Sequence, residues 1–172
     1  ERSTALLLRN VFVNCHSGVA VKDSSQAEII NNTFYLNDYA INVYEKNAGM
    51  GGGIVQATNN IFGNSRENDL AADEKSTITA RFCLSTLKIL PGTGNIAADP
   101  LFVDPAGLDF HLYAISPARD SGDPSAPKDP DSTRADIGAF YYDASPKVFP
   151  VALNEICASN QSVLADPAGD FD

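Results

Sequence analysis

Three tyrosines, Tyr35, Tyr39 and Tyr44, stand close together in this chain, with Lys46 just beyond them and Arg66 further on. A tyrosine offers a flat apolar face with a polar tip, and a cation can clamp an acidic or hydroxylated ligand. These five residues are therefore the candidate carbohydrate-binding set. The cations Arg9, Lys46, Arg66 and Arg81 share the first half of the chain with the acids Asp23, Asp38, Asp69 and Asp73. None of the acids recurs at a spacing that aligns a carboxylate row. Inverting glycoside hydrolysis needs two carboxyl groups roughly 6.5–9.5 Å apart, a criterion that an Asp-rich chain meets too cheaply to discriminate. No Ser-His-Asp order with an elbow motif occurs, and no Cys/His zinc spacing. His16, in Asn14-Cys15-His16-Ser17-Gly18, reads as a corner or surface residue, and His111 as one that packs or caps a strand. The segment Lys46–Gly53 is glycine-rich, yet no Lys-Ser/Thr pair follows and no helix opens after it. It reads as a flexible loop rather than a phosphate cradle. No catalytic residue, metal ligand or cofactor is assigned.

The charge is uneven. Of the net −10, the first 90 residues carry eight basic against nine acidic groups, whereas the remainder carries four against thirteen, twelve of them Asp. An acidic surface without a Lys/Arg cluster argues against nucleic acid and anionic membrane as partners. No apolar run is long enough for a membrane-spanning helix. The Asp-rich half reads as turn chemistry, because Asp side chains close Asx-turns; calcium binding is the alternative. All ten prolines lie after residue 90, so the first half can be almost entirely sheet while the second must be broken into turns. Cys15, Cys83 and Cys157 share no metal spacing and read as buried free thiols, with a Cys15–Cys83 bridge as the alternative. The chain starts at Glu1 with no basic n-region or cleavage site, the signature of a processed or excised piece.

The elements that must carry the candidate set repeat. Asn10-Val11-Phe12, Asn32-Thr33-Phe34 and Asn60-Ile61-Phe62 recur along the first half, followed by a degenerate Ala80-Arg81-Phe82, with further asparagines at Asn14, Asn37 and Asn64. Short β-rich segments surround each unit, and no stretch shows a sustained helical stripe. A period of this length built of short strands marks a solenoid. The expected fold is all-β, a right-handed parallel β-helix with an irregular Pro/Asp-rich closing segment. Asn10, Asn32 and Asn60 are expected to take the left-handed corner conformation and to stack their amides in a ladder. Phe12, Phe34, Phe62 and Phe82 are expected in one interior column. The competing reading of the three tyrosines places them beside this column or on the outer surface of the coils.

Residues 4–85 resemble the last coils of pectate-lyase-like right-handed β-helix proteins. The run Gly94–Pro105, then Asp109-Phe110-His111-Leu112, Ser116–Pro124 and Arg134–Phe140, resembles the closing segment of β-helix proteins described as choice-of-anchor Q. Val151–Asn160 and Asp166–Asp172 resemble the opening of a lamin-tail-type domain. The resemblance implies coils over 1–90, a closing segment over 91–143, a linker over 144–150 and an incomplete β-sandwich start over 151–172. It also implies an extracellular or cell-surface location, with upstream coils and a downstream domain in the same polypeptide. Lyases of this fold hold calcium with paired carboxylates and abstract a proton with an Arg or Lys. The motifs of the related hydrolases, clustered Asp residues with Gly-His-Gly and Arg-x-Lys, do not occur. The expected function is a non-catalytic structural and interaction role, with polysaccharide as the possible ligand and calcium as the possible ion. The alternative is part of a polysaccharide lyase or glycoside hydrolase whose catalytic coils lie upstream.

Overall fold

The structure is a computed structural model and describes residues 3–144. The proposed start of a β-sandwich at 151–172, nearly all of the linker and Cys157 lie outside the described residues. The chain makes successive passes, or coils, through the same three sheets. The first coil holds β1 (Thr4–Leu8), β2 (Val11–Val13) and β3 (Ser17–Lys22), and the second holds β4 (Gln26–Ile30), β5 (Thr33–Tyr35) and β6 (Tyr39–Tyr44). The third holds β7 (Ile54–Thr58), β8 (Ile61–Gly63) and β9 (Asn68–Ala72); β10 (Thr77–Arg81), β11 (Leu84–Ser85) and β12 (Ile96–Ala97) follow. The first sheet is ordered β1-β4-β7-β10, the second β12-β11-β8-β5-β2 and the third β3-β6-β9, and every pairing within them is parallel. Among the described residues the protein is all-β, and its repeated parallel sheets are consistent with a β-solenoid.

The register explains the sequence repeat. Val11, Thr33, Ile61 and Leu84 lie side by side, as do Phe12, Phe34, Phe62 and Ser85. Phe12 and Phe34 stack with centroids 4.9 Å apart, and Phe34 and Phe62 at 5.4 Å, close to the roughly 4.8 Å that separates hydrogen-bonded strands. Around this column Ile29, Ile41, Val43 and Val55 are fully buried. Phe82 is not in the column. Arg81 pairs with Thr58, so Phe82 falls beside Asn59, short of the place opposite Phe62, which Ser85 takes. The Phe82 ring instead lies under the Arg134 guanidinium, 5.7 Å from its centroid.

The asparagine expectation divides in two. The left-handed residues of the first corner are Arg9 (φ 54°), Asn31 (φ 51°) and Asn59 (φ 56°), each one place before the expected residue, and then Phe82 (φ 49°), before Cys83. Asn10, Asn32 and Asn60 carry the ladder alone. Asn10 Nδ2 donates to Asn32 Oδ1 at 3.1 Å, and Asn32 Nδ2 to Asn60 Oδ1 at 3.0 Å. The two tasks fall to different residues because the laddered amide must point along the stack while the preceding residue reverses the chain. Arg9 and Phe82 adopt a conformation that disfavours them by roughly 1–2 kcal/mol each, so the surrounding hydrogen bonds impose it.

The closing segment covers this corner. After β12 the chain forms an antiparallel pair, β13 (Phe102–Asp104) with β14 (Asp109–Leu112). Phe102, Phe110, Leu112, Ala118 and Ile137 make a second core with Ile61 and Leu84, on the outer face of the second sheet. The segment then fastens to successive coils. Asp123 N donates to Asn59 Oδ1 at 2.7 Å, Asn31 Nδ2 to Asp136 O at 2.8 Å and Ala139 N to Thr33 Oγ1 at 3.0 Å. The aspartates do act in turns: Asp99, Asp104, Asp109, Asp123 and Asp131 each accept a backbone N–H two or three residues on. Cys15 and Cys83 are both free thiols, so the bridge between them does not form. They stand at different corners, and Cys15 is half-buried rather than buried.

Candidate functional site

A second corner joins the second sheet to the third. Its left-handed residues are Asn14, Leu36 and Asn64 (φ 56°, 54° and 53°), and the chain emerges from it at Cys15-His16, Asn37-Asp38 and Ser65-Arg66. Because the coils stack in register, residues far apart in sequence converge here. His16 Nδ1 lies 2.9 Å from Asp38 Oδ2, one coil on, and the Arg66 guanidinium donates to Asp38 Oδ1 at 3.0 Å from the coil beyond. Arg66 also reaches back two coils to donate to Asn14 Oδ1 at 2.5 Å. The His16 ring meets Tyr39 edge-on, with centroids 5.6 Å apart. The hydrogen bond from the His16 ring, and then that from Arg66, hold the Asp38 carboxyl below its ordinary pKa. With its Nδ1 against Asp38, the exposed His16 ring presents Nε2 to solvent.

The five sequence-derived residues thus separate into three places. Tyr39 and Arg66 share the second-corner cluster through His16 and Asp38. Tyr35 is on the outer face of the second sheet, against Phe110 and Phe102 at 5.3 and 6.1 Å. There it walls a cavity of about 420 Å³ together with Asn64, Thr86, Asp99 and Tyr113. Tyr44 ends β6 beside Lys22, and Lys46 follows in the Gly-rich segment. Asp38, His16 and Asn14 were not in the binding set. Their signal was the separation between Asp38 and His16, 22 residues, which equals the spacing from Asn10 to Asn32.

The Gly-rich segment is tied rather than loose. Asp23 accepts from the backbone of Lys46 and Asn47 at 2.8 and 2.9 Å, and Glu45 from Gly51 and Gly49 at 2.8 and 3.1 Å. Asp73 accepts from Glu45 N at 2.7 Å, and Lys75 pairs with Glu45. Asp23, Glu45 and Asp73 therefore do meet near one end of the third sheet, at separations of 22 and 28 residues that equal those from Asn10 to Asn32 and from Asn32 to Asn60. Hydrogen bonds to Asn47, to Lys75 and to Ser76, respectively, are the leading causes that lower their pKa values. Their oxygens are occupied by loop backbone, by the Asn47 side-chain amide and by the Lys75 ammonium. Among the described residues no group of three His, Cys, Asp or Glu side chains could hold a metal ion.

Chemically, the second-corner cluster is a partly exposed polar and aromatic patch. It holds one anion, one cation and an imidazole beside an aromatic ring. The Arg66 charge is already partnered by Asp38, which leaves hydrogen bonding and ring stacking as what the patch can offer. Among the described residues His16 contacts Asp38 and Tyr39, and no hydroxyl or thiol stands as a nucleophile against it. No protein-family model, curated protein or solved structure matches this chain.

Proposed function

We propose that this chain is the non-catalytic closing end of an exported, cell-surface right-handed parallel β-helix protein, of the pectate-lyase-like kind with a choice-of-anchor Q type closing segment. Its role is structural: it terminates the coils and leads toward a lamin-tail-type domain. The observation that carries this reading is the fastening of one segment to every coil. Arg9 of the first coil meets Asp129 at 3.4 Å, Asn31 and Thr33 of the second hold Asp136 and Ala139, Asn59 of the third holds Asp123, and Arg81 beyond them meets Asp123 at 3.5 Å. A segment that bonds to four successive coils is built to lock a stack.

Polysaccharide is the partner this reading assigns to the open second corner. The internal pairing of Arg66 with Asp38 and the net charge of −10 favour a neutral glycan over a polyuronate. The test is affinity electrophoresis of the full chain in gels containing a neutral β-glucan or pectate. The neutral polymer should retard the chain, and Tyr39→Ala or His16→Ala should abolish the retardation. Equal mobility with and without every polymer would remove the glycan. Calcium-dependent release of unsaturated product from pectate, lost in Arg66→Ala, would replace the structural reading with the enzymatic one.

A further inference from the structure

The closing segment does not seal the outer face of the second sheet. It leaves there the cavity of about 420 Å³ that Tyr35, Asn64, Thr86, Asp99 and Tyr113 line, a size within the roughly 300–1,000 Å³ of small-molecule sites. Successive coils contribute to it. In the outer row of the sheet Tyr35 pairs with Gly63, and Thr86 follows one coil on, next to Ser85, which pairs with Phe62. No left-handed backbone requires glycine at 63. Its bare Cα instead makes room for a ring, because a Cβ there would stand 2.9 Å from Tyr35 Cδ2. The Tyr35 ring therefore lies over the next coil.

The rim is held in place. Asp99 Oδ1 accepts from Leu101 N at 2.8 Å, Ser116 Oγ donates to Pro100 O at 2.6 Å and Tyr113 N donates to Leu101 O at 3.0 Å. The lining side chains are less engaged. Thr86 Oγ1 accepts from Asn64 N at 2.7 Å, which leaves its own hydrogen to donate. Among the described residues the Tyr35 hydroxyl, the Asn64 side-chain amide and Asp99 Oδ2 have no hydrogen-bond partner. Asn64 and Asp99 are exposed, and the hydroxyl of half-buried Tyr35 is not shut off from solvent. Tyr113 is 51% exposed. Among the described residues no Lys, Arg or His lines the cavity.

We propose that this cavity binds a single sugar unit of a neutral glycan. Tyr113 supplies the ring against which the C–H face of a pyranose packs. Asn64, Thr86, Tyr35 and Asp99 supply donors and acceptors for its hydroxyls, and a vicinal diol both donates and accepts. A uronate or a phosphate would meet Asp99 as a like charge with no cation beside it. A quaternary ammonium would use Asp99 and the rings, but it has no hydrogen-bonding group to offer the amide and the two hydroxyls. The site uses none of His16, Tyr39 and Arg66, so it stands or falls apart from the corner patch.

The test is titration of the methyl pyranosides of glucose, galactose and mannose into the full chain, followed by NMR, with choline and galacturonate as charged controls. A neutral pyranoside should bind with a Kd of about 1–10 mM, the range open to so few contacts. Shifts should be confined to Asn64, Thr86, Asp99 and Tyr113 and their neighbours. Tyr113→Ala should weaken binding by about fivefold or more through loss of the packing face, and Tyr113→Phe should keep it. Asp99→Asn should change it by less than about threefold, because the amide oxygen still accepts, whereas a cation site would lose its charge-assisted contact. His16→Ala should leave it unchanged. A unit held this weakly does not retard the chain in a glycan gel, so the gel reports on the corner alone. Absence of binding by all three pyranosides, tighter binding of choline or galacturonate, or an unaltered affinity in Tyr113→Ala would overturn the proposal. Should Tyr113→Ala fail to fold, wild-type NOEs between the sugar ring protons and the Tyr113 ring decide it: their presence supports the site and their absence rejects it.

Discussion

At the first corner four left-handed residues are followed by Asn10, Asn32, Asn60 and Cys83, and the closing segment lies over them. At the second corner Asn14, Leu36 and Asn64 are followed by Cys15, Asn37 and Ser65, and solvent lies over their neighbours. Backbone reversal is the same at both. The side-chain ladders are not. The covered corner runs unbroken from Asn10 through Asn32 and Asn60, and Cys83 N then donates to Asn95 Oδ1 at 2.9 Å. At the open corner a single amide, Asn37, accepts from Cys15 N at 2.8 Å and donates to Phe12 O at 2.9 Å, while Ser65 in the next coil has no amide with which to continue the rung. At the open corner Asn37 and Ser65 are buried as well, but the next side chains outward, His16, Asp38 and Arg66, are partly exposed and pair across coils. Where a second layer excludes water, every polar group must be met from within.

The largest effect should fall inside the covered ladder. Asn32 is fully buried; its Oδ1 accepts from Asn10 N and Nδ2, and its Nδ2 donates to Leu7 O and Ile30 O. Asn32→Ala strips these half-buried groups of their shared partner, at a cost of about 2–3 kcal/mol, read as a lower urea midpoint. Asn47→Ala should be nearly neutral, because that amide meets only Asp23 on an exposed loop. Equal midpoints for the two variants would break the contrast between ladder and surface.

Much of this was legible in the residues. The Asn-x-Phe spacing located three coils, because a buried amide and a buried ring can repeat only at the length of one coil. Phe82 misled for the same reason: it follows Phe62 by fewer residues than the 23 that separate Cys83 from Asn60. The left-handed positions were misplaced by one: each expected asparagine follows the true position, Arg9 has no propensity for that conformation and is forced into it by the neighbouring coil, and Asn31 and Asn59 stand in Asn-Asn pairs whose first member was passed over. The candidate site was less legible. Tyr35 and Tyr39 look adjacent in sequence, yet the corner at Leu36 places them on different sheets. His16 and Asp38 look unrelated until the coil length is applied to them.

A smaller effect is expected at the open corner. Asn37 is also buried, but Asn37→Ala removes only one accepted and one donated bond, fewer than Asn32 makes, so it should cost about 1–2 kcal/mol in the same denaturation assay. A loss equal to or above that of Asn32→Ala would show that cover by the closing segment is not what makes the first ladder matter. Hydrogen exchange sharpens the point. The Cys15 amide should exchange faster in Asn37→Ala while the Asn10 and Asn60 amides stay protected, as expected for independent ladders.

The smallest effect concerns the one covered rung that lacks an amide. Cys83 is fully buried, and its Sγ accepts from Asn60 N at 3.4 Å and, weakly, from Asn60 Nδ2 at 4.0 Å. Desolvation by burial pushes its thiol up to about 11, so it is protonated and inert at neutral pH, a small hydrophobe serving as a poor acceptor. Asparagine has nearly the same volume and a far better acceptor. In Cys83→Asn the new Oδ1 can take both Asn60 donors, and the new Nδ2 can donate to Arg81 O and Ala57 O, the two carbonyls that Sγ now faces at 3.3 and 3.8 Å. The ladder would then be continuous from Asn10 to Asn95. The variant should gain about 0.5–1 kcal/mol, the net worth of one ordinary hydrogen bond over a weak one, measured as a raised urea midpoint with an unchanged slope. A destabilised Cys83→Asn would mean that the covered corner tolerates no further polar group, and the contrast between the corners would then rest on packing rather than on hydrogen bonding.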